Sequence, residues 1–251
     1  MQAKWIGWVL TACIAYSPAL WADNLADLTQ RAEHGDAVAQ TDLGTKYALG
    51  NGVARDYLQA EKLFRTAAGQ GNPLAQYNLG LMYAHGEGLP TDLKEAAHWF
   101  LKAAEQGDVP AQFNLGLMYA NGDGVTRHYE EAFKWFHKAA ERGYSLAQVD
   151  LGLMYLRGEG IAKNPDEAVK WFKQSAEQGN VIAQYHLGLC YFDGIGIAKD
   201  DQEAYVWFVL AAALGDNQAR AMLDTLETEL TPKQIADAQK RAALWRPAVV
   251  H

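Results

Sequence analysis

The sequence predicts an all-α protein, a right-handed α/α superhelical solenoid of 36-residue helix-loop-helix repeats. Three observations carry this. Ala-Gln recurs at Ala39-Gln40, Ala75-Gln76, Ala111-Gln112, Ala147-Gln148 and Ala183-Gln184, always 36 residues apart, and Ala219-Arg220 keeps the period. Four residues after each alanine comes Leu-Gly, at Leu43-Gly44, Leu79-Gly80, Leu115-Gly116, Leu151-Gly152 and Leu187-Gly188, with a tyrosine following at 47, 83, 119, 155 and 191. Later in each unit an alanine (Ala60, Ala96, Ala132, Ala168, Ala204) precedes by four residues Phe64, Phe100, Phe136, Phe172 or Phe208. Self-similarity at a fixed period of this length marks a repeat architecture.

Within a unit, Ala, Leu, Gly and Tyr stand at i, i+4, i+5 and i+8, on one side of a helix, here helix A. Glycine inside a helix costs about 1 kcal/mol relative to alanine. Its recurrence therefore predicts a neighbouring helix packed too closely for a side chain. The series Ala96, Phe100, Ala103, Ala104 is a second amphipathic helix, helix B, and Gly71, Gly107, Gly143, Gly179 and Gly215 end it. Between the two lies a Gly-X-Gly loop. One such pair cannot bury its apolar face alone and must stack on neighbours.

The ends depart from the repeat as an array requires. Leu25 to His34 matches the second half of a helix B, which gives a half repeat over about residues 24–35. Five full repeats follow over about 36–215, then capping helices over about 216–246. Thr231-Pro232 supplies an N-cap and a proline at the first helical position, opening a helix that ends near Trp245. The expectation is a single array over 23–251, with about 13 helices.

The pattern A-Q-x-x-L-G-x-x-Y-x-x-G-x-G, followed by x-x-D-x-x-x-A-x-x-W-F and A-A-x-x-G, resembles the Sel-1-like repeat, a branch of the tetratricopeptide-like solenoids. The closing LTPKQIADAQKRAALW is similar to the helix that ends many bacterial members. The resemblance covers roughly residues 24–246. It implies a scaffold or adaptor that binds other proteins, often in the bacterial envelope or secreted.

Composition narrows the partners. The chain has 251 residues and a net charge of −8, with no run of like charge. That argues against a general nucleic-acid or anionic-membrane surface, both of which need concentrated Lys and Arg. Residues 1–22 differ in kind from the rest. MQAK carries one positive charge, an uncharged apolar stretch follows, and Ala22 precedes the polar Asp23. This is the order of a secretory signal peptide cleaved after Ala22, leading to a periplasmic or secreted protein. An uncleaved anchor and lipoprotein processing at Cys13 are the minor alternatives. After cleavage Cys190 is the one remaining cysteine, so no intramolecular disulfide forms.

Chemistry finds little support. The loops Gly50-Asn51-Gly52, Gly86-Glu87-Gly88, Gly122-Asp123-Gly124, Gly158-Glu159-Gly160 and Gly194-Ile195-Gly196 follow a helix end, whereas phosphate cradles open a helix. Three place a carboxylate between the glycines, and none has the alternating ligands of an EF-hand. The seven histidines show no metal spacing, and His34, His98, His128 and His137 stand at variable positions expected to face solvent. No Gly-X-Ser-X-Gly or Ser-x-x-Lys is present, and Cys190 takes the place of Met82, Met118 and Met154 as a packing residue. No catalytic, cofactor-binding or metal-binding residues are assigned.

A partner surface is sought on the face of helix A that does not carry the Ala-Leu-Gly-Tyr pattern. Its candidates are Tyr77, Leu81, Phe113, Leu117, Val149, Leu153, Tyr185 and Leu189, with Asn78, Asn114, Asp150 and His186 as hydrogen-bonding companions. Two readings stay open: a superhelix so tight that both faces are core, or a hydrophobic groove for a peptide segment. Recurring Gln76, Gln112, Gln148 and Gln184 are expected to be satisfied internally, and Trp99, Trp135, Trp171 and Trp207 to pack between repeats. The leading function is a monomeric, exported, non-enzymatic adaptor that holds a protein or peptide partner without cofactor, nucleic acid or a membrane role beyond its leader. The alternatives are a β-lactam or cell-wall hydrolase, which the resemblance raises through cysteine-rich relatives whose cysteine pairs are missing here, and an effector acting on host proteins.

Overall fold

The computed structural model describes residues 25–248, so the expected leader lies outside the described residues. Among these residues there are thirteen helices: α1 Leu25–Glu33, α2 Ala37–Leu49, α3 Tyr57–Gly69, α4 Pro73–His85, α5 Leu93–Glu105, α6 Val109–Asn121, α7 Tyr129–Glu141, α8 Ser145–Arg157, α9 Pro165–Glu177, α10 Val181–Asp193, α11 Asp201–Ala213, α12 Asn217–Glu229 and α13 Pro232–Leu244. No strand occurs among them. Even-numbered helices up to α12 are the helix A of the sequence pattern, and odd-numbered ones from α3 to α11 are helix B.

The punctuation is chemical. Asp36, Asn72, Asp108, Asn180 and Asp216 sit at the N-caps of α2, α4, α6, α10 and α12, where their side chains accept backbone N–H groups. Among the A helices described, α8 alone starts without a side-chain cap, at Tyr144. Each helix A up to α10 ends on a left-handed glycine, from Gly50 to Gly194. Each helix B caps one residue earlier than expected, at Gln70, Gln106, Arg142, Gln178 or Leu214, and the glycine with positive φ comes just after the cap.

The described helices fall into two compact units, α1 to α6 and α7 to α13. In the first, α1 to α6 pack in sequence, each helix on the next. Its core sets Ala60, Phe64, Ala67 and Ala68 of α3 against Ala75, Leu79 and Met82 of α4. In the second, α7 to α12 pack in the same order and α13 returns onto α11. There Ala168, Phe172 and Ala176 of α9 meet Ala183, Leu187 and Cys190 of α10. Trp245, beyond α13, reaches that same cluster and meets Trp207 edge-on at 6.4 Å between ring centroids. The terminal helix thus fastens the end of the second unit through a side chain as well as by covering α11.

The internal glycines are the contact points of these pairs. A Cβ on Gly44, Gly80, Gly152 or Gly188 would stand 2.8, 2.7, 2.6 and 2.6 Å from the ring of Phe64, Phe100, Phe172 and Phe208 respectively. Real Cβ atoms do not approach that closely, so the phenylalanine takes the space that glycine leaves.

A glutamine relay ties the helices at their other end. The amides of Gln40, Gln76 and Gln148 each donate to the carbonyl of Ala32, Ala68 and Ala140, and accept from Gln70, Gln106 and Gln178. Gln184 is fully buried and donates to Ala176, yet its Oε1 has no partner. The position that carries the donor glutamine in those units holds Leu214 here, 59% exposed. The expectation that every recurring glutamine is satisfied therefore fails at Gln184, and Gln112 also keeps an unpaired Oε1. Replacing Leu214 with Gln is expected to raise stability by about 0.5–1.5 kcal/mol, the net worth of one hydrogen bond. Urea denaturation checks this; an unchanged midpoint would mean that the orphan carbonyl is solvated.

Candidate functional site

The Gly-X-Gly loops were one place to look for chemistry, and their geometry is that of packing. Both glycines of each loop have positive φ, between 68° and 83°. In four of the five loops the second one abuts the start of the preceding helix B: a Cβ there would lie 2.4 Å from Tyr57 at Gly88, 2.1 Å from the Leu93 carbonyl oxygen at Gly124, 2.3 Å from that of Tyr129 at Gly160 and 2.3 Å from that of Pro165 at Gly196, whereas Gly52 meets nothing within 4 Å. Those four loops lie against the preceding helix, with no room for a ligand at that point. Among the described residues no three His, Cys, Asp or Glu side chains converge as a metal site would need.

The histidines divide. His98 is exposed, and His34 and His128 are occupied at helix ends, His34 against the Gln30 carbonyl and His128 accepting the Glu131 N–H. His137 lies against Trp171 and Phe133. Cys190 is buried in the α9–α10 core, and burial pushes its thiol up to about 11, far from a reactive thiolate. The tryptophans behave as packing groups: Trp135 and Trp207 are buried, and Lys102 and Lys138 lie over the rings of Trp99 and Trp135.

The remaining candidate is the second face of helix A. In the first unit α4 places Tyr77 and Leu81 in the core, while Phe113 and Leu117 of α6 are half-buried. Asn114 reaches the Tyr77 hydroxyl at 3.4 Å. In the second unit Val149 of α8 is buried, whereas Leu153 of α8 and Tyr185 and Leu189 of α10 are half-buried. Neither reading of this face applies along the whole chain: some positions serve the core and others keep surface open to solvent. The apolar character is strongest on α10, whose one-letter string VIAQYHLGLCYFD holds apolar residues on every side.

Two polar groups interrupt this face in the second unit. Asp150 of α8 and His186 of α10 occupy the same register position in consecutive repeats. Burial pushes the Asp150 carboxyl up to about 7, against a small opposing pull from Arg157. Burial lowers the His186 imidazole pKa, so the ring is neutral near pH 7. That ring stacks on Phe172 at 5.3 Å with a 17° interplanar angle and touches Tyr185 edge-on at 5.4 Å. Sequence reasoning listed both as hydrogen-bonding companions, and both are half-buried.

Comparison with known proteins agrees with this architecture. The model of the Sel1 repeat matches five times, over residues 37–72, 73–108, 109–144, 145–180 and 181–216. A protective antigen present in uropathogenic Escherichia coli strains, displaying an SLR fold, is 36% identical with a TM-score of 0.80. The match covers 87% of this chain and 47% of that one, so the chain spans about half the length of the antigen. A Sel1 repeat protein from Oxalobacter formigenes is 34% identical with a TM-score of 0.72, covering 82% of this chain and 84% of its own. No curated protein matches the chain. Sel1 repeat proteins are in general scaffolds for protein interactions. With five matched repeats, capped helix pairs and glycines that seat the neighbouring phenylalanines, the chain belongs to the Sel1 repeat family.

Proposed function

We propose that the protein is an exported, non-catalytic scaffold that holds an extended or helical segment of a protein partner against the second face of its A helices. The observation that carries this is the half-buried apolar surface of Phe113, Leu117, Leu153, Tyr185 and Leu189, at positions where a helix fully committed to core would hide its side chains. Tyr77, Leu81 and Val149, buried at the corresponding positions of their own repeats, complete the proposed set. Apolar pockets at helical or alternate spacing are how grooves of this kind take peptide segments. Export rests on the leader pattern of residues 1–22, and among the described residues no helix is long and apolar enough to cross a membrane.

The test is a photo-crosslinking amino acid placed at 189 in the native cell, with a matched probe at the exposed Lys173 of α9. A discrete adduct is expected from position 189 and none from 173. Replacing Phe113 and Tyr185 with serine is expected to remove that adduct while far-UV helicity persists. Equal labelling from both positions, or an adduct that survives the serine replacements, would overturn the reading.

A further inference from the structure

The sequence holds two Asn-Gly pairs, Asn51-Gly52 and Asn121-Gly122, and both lie in the first unit at the end of a helix A. Such a pair can react with itself, because a glycine has no side chain to keep the asparagine carboxamide away from the peptide nitrogen that follows it. Ring closure has two requirements. The glycine N–H must not be held by an acceptor, and the backbone must be free to swing the asparagine Cγ into the plane of that peptide. The two pairs differ on both counts.

Asn121 is the more exposed of the two asparagines, yet its surroundings fix it. It is the last residue of α6, and the Gly122 N–H donates to the Met118 carbonyl at 2.8 Å. Its own Nδ2 donates to the Asp123 carboxylate at 3.1 Å. Attack on Cγ would break the bond that closes α6 and turn its last residue out of helical backbone. Asn51 stands beyond its helix, since α2 ends at Leu49 and Gly50 is the left-handed cap. The Asn51 N–H donates to the Lys46 carbonyl, but among the described residues neither the Gly52 N–H nor the Asn51 carboxamide has a partner. Gly52 is exposed, and among the described residues a Cβ there would meet nothing within 4 Å. The register explains this openness. Gly88 rests on Tyr57, and one repeat earlier that place is position 21, ahead of Leu25 where α1 begins.

We propose that Asn51 is a site of spontaneous modification, deamidating through a cyclic imide with Gly52, and that the end of α6 protects Asn121 from the same reaction. The Gly52 nitrogen gives up its proton to base and bonds to the Asn51 Cγ, and the Cγ–Nδ2 bond breaks with release of ammonia. Water then opens the ring in one of two ways. Addition at Cγ breaks its new bond to nitrogen and yields aspartate. Addition at the main-chain carbonyl breaks the original peptide bond and yields isoaspartate, with the chain running on through Cγ. One water is consumed and one ammonia released, and nothing is oxidised or reduced. Aspartate suits the position, since Glu87, Asp123 and Glu159 place a carboxylate between the same two glycines of their loops. The first repeat thereby gains a charge that three others carry by sequence.

The test holds the purified chain in mildly alkaline buffer, native and in urea, and follows both pairs by peptide mapping with a fragmentation method that separates aspartate from isoaspartate. In the native chain Asn51 is expected to convert roughly ten-fold faster than Asn121, the factor that opening one hydrogen bond of about 1.4 kcal/mol imposes. In urea the two rates are expected to converge, because the protection belongs to the fold. Asn51→Asp is expected to keep the far-UV helicity of the unmodified chain. Equal native rates, or faster conversion at Asn121 as exposure alone would dictate, overturn the proposal. The same ratio in urea as in the native chain overturns it as well, and so does an Asn51 that reacts only when unfolded.

Discussion

Gly160→Ala is expected to destabilise the protein by about 3–5 kcal/mol, while Gly158→Ala, two residues away, costs only about 1–2 kcal/mol. Both glycines hold left-handed backbone, with φ of 72° and 74°, so both substitutions meet the same conformational penalty. They differ in what the new methyl group meets. At Gly158 the nearest atom is the Lys163 Cβ at 3.5 Å, an ordinary contact. At Gly160 the methyl would lie 2.3 Å from the Tyr129 carbonyl oxygen and 2.8 Å from the Glu130 nitrogen. Those are backbone atoms at the start of α7, and they move only if the loop after α8 lifts away. Urea denaturation of the two variants isolates the second glycine's contribution. Equal losses would mean that the loop ends the helix without fastening it to the preceding helix B, against what the distances require.

That contrast also shows what a sequence discloses about such a chain. The period and the helix pairs were legible, because the residues that produce them are local and repeat in register. Asp36, Asn72 and Asp108 announce helix starts whatever surrounds them. The pairing of Gly152 with Phe172 was half legible: the glycine predicted a close neighbour, and only the structure names the ring. The second face of helix A resisted reading. Tyr77 and Tyr185 occupy the same place in the repeat, yet one is buried and the other is half-buried. Their one-letter context, AQYNLG against AQYHLG, is nearly identical. Exposure there depends on what neighbouring repeats contribute, which no pattern within one repeat records. The orphan Oε1 of Gln184 was legible in principle, since the donor glutamine thirty residues later is replaced by Leu214.

An effect of similar size is expected at the contact between a helix-interior glycine and its phenylalanine. Phe172 is fully buried in the α9–α10 core, and Phe172→Ala is expected to cost about 3–5 kcal/mol through lost burial and the cavity left behind. Gly152→Ala alone is expected to cost about 1–3 kcal/mol, because its Cβ would stand 2.6 Å from the Phe172 ring, which the surrounding core holds in place. In the Phe172→Ala background the same change reverses sign. The ring is gone, the methyl fills part of the cavity, and alanine recovers the helix propensity that glycine forfeits, so it stabilises by about 1 kcal/mol. The two sites thus couple by about 2–4 kcal/mol in a double-mutant cycle. Additive losses would show that glycine at this position answers to something other than the phenylalanine twenty residues later. A sign reversal would identify the Gly–Phe pair as the unit that sets how closely helix A approaches helix B. Gly44, Gly80 and Gly188 meet their phenylalanines at nearly the same distance, so the reversal is expected at each of those pairs as well.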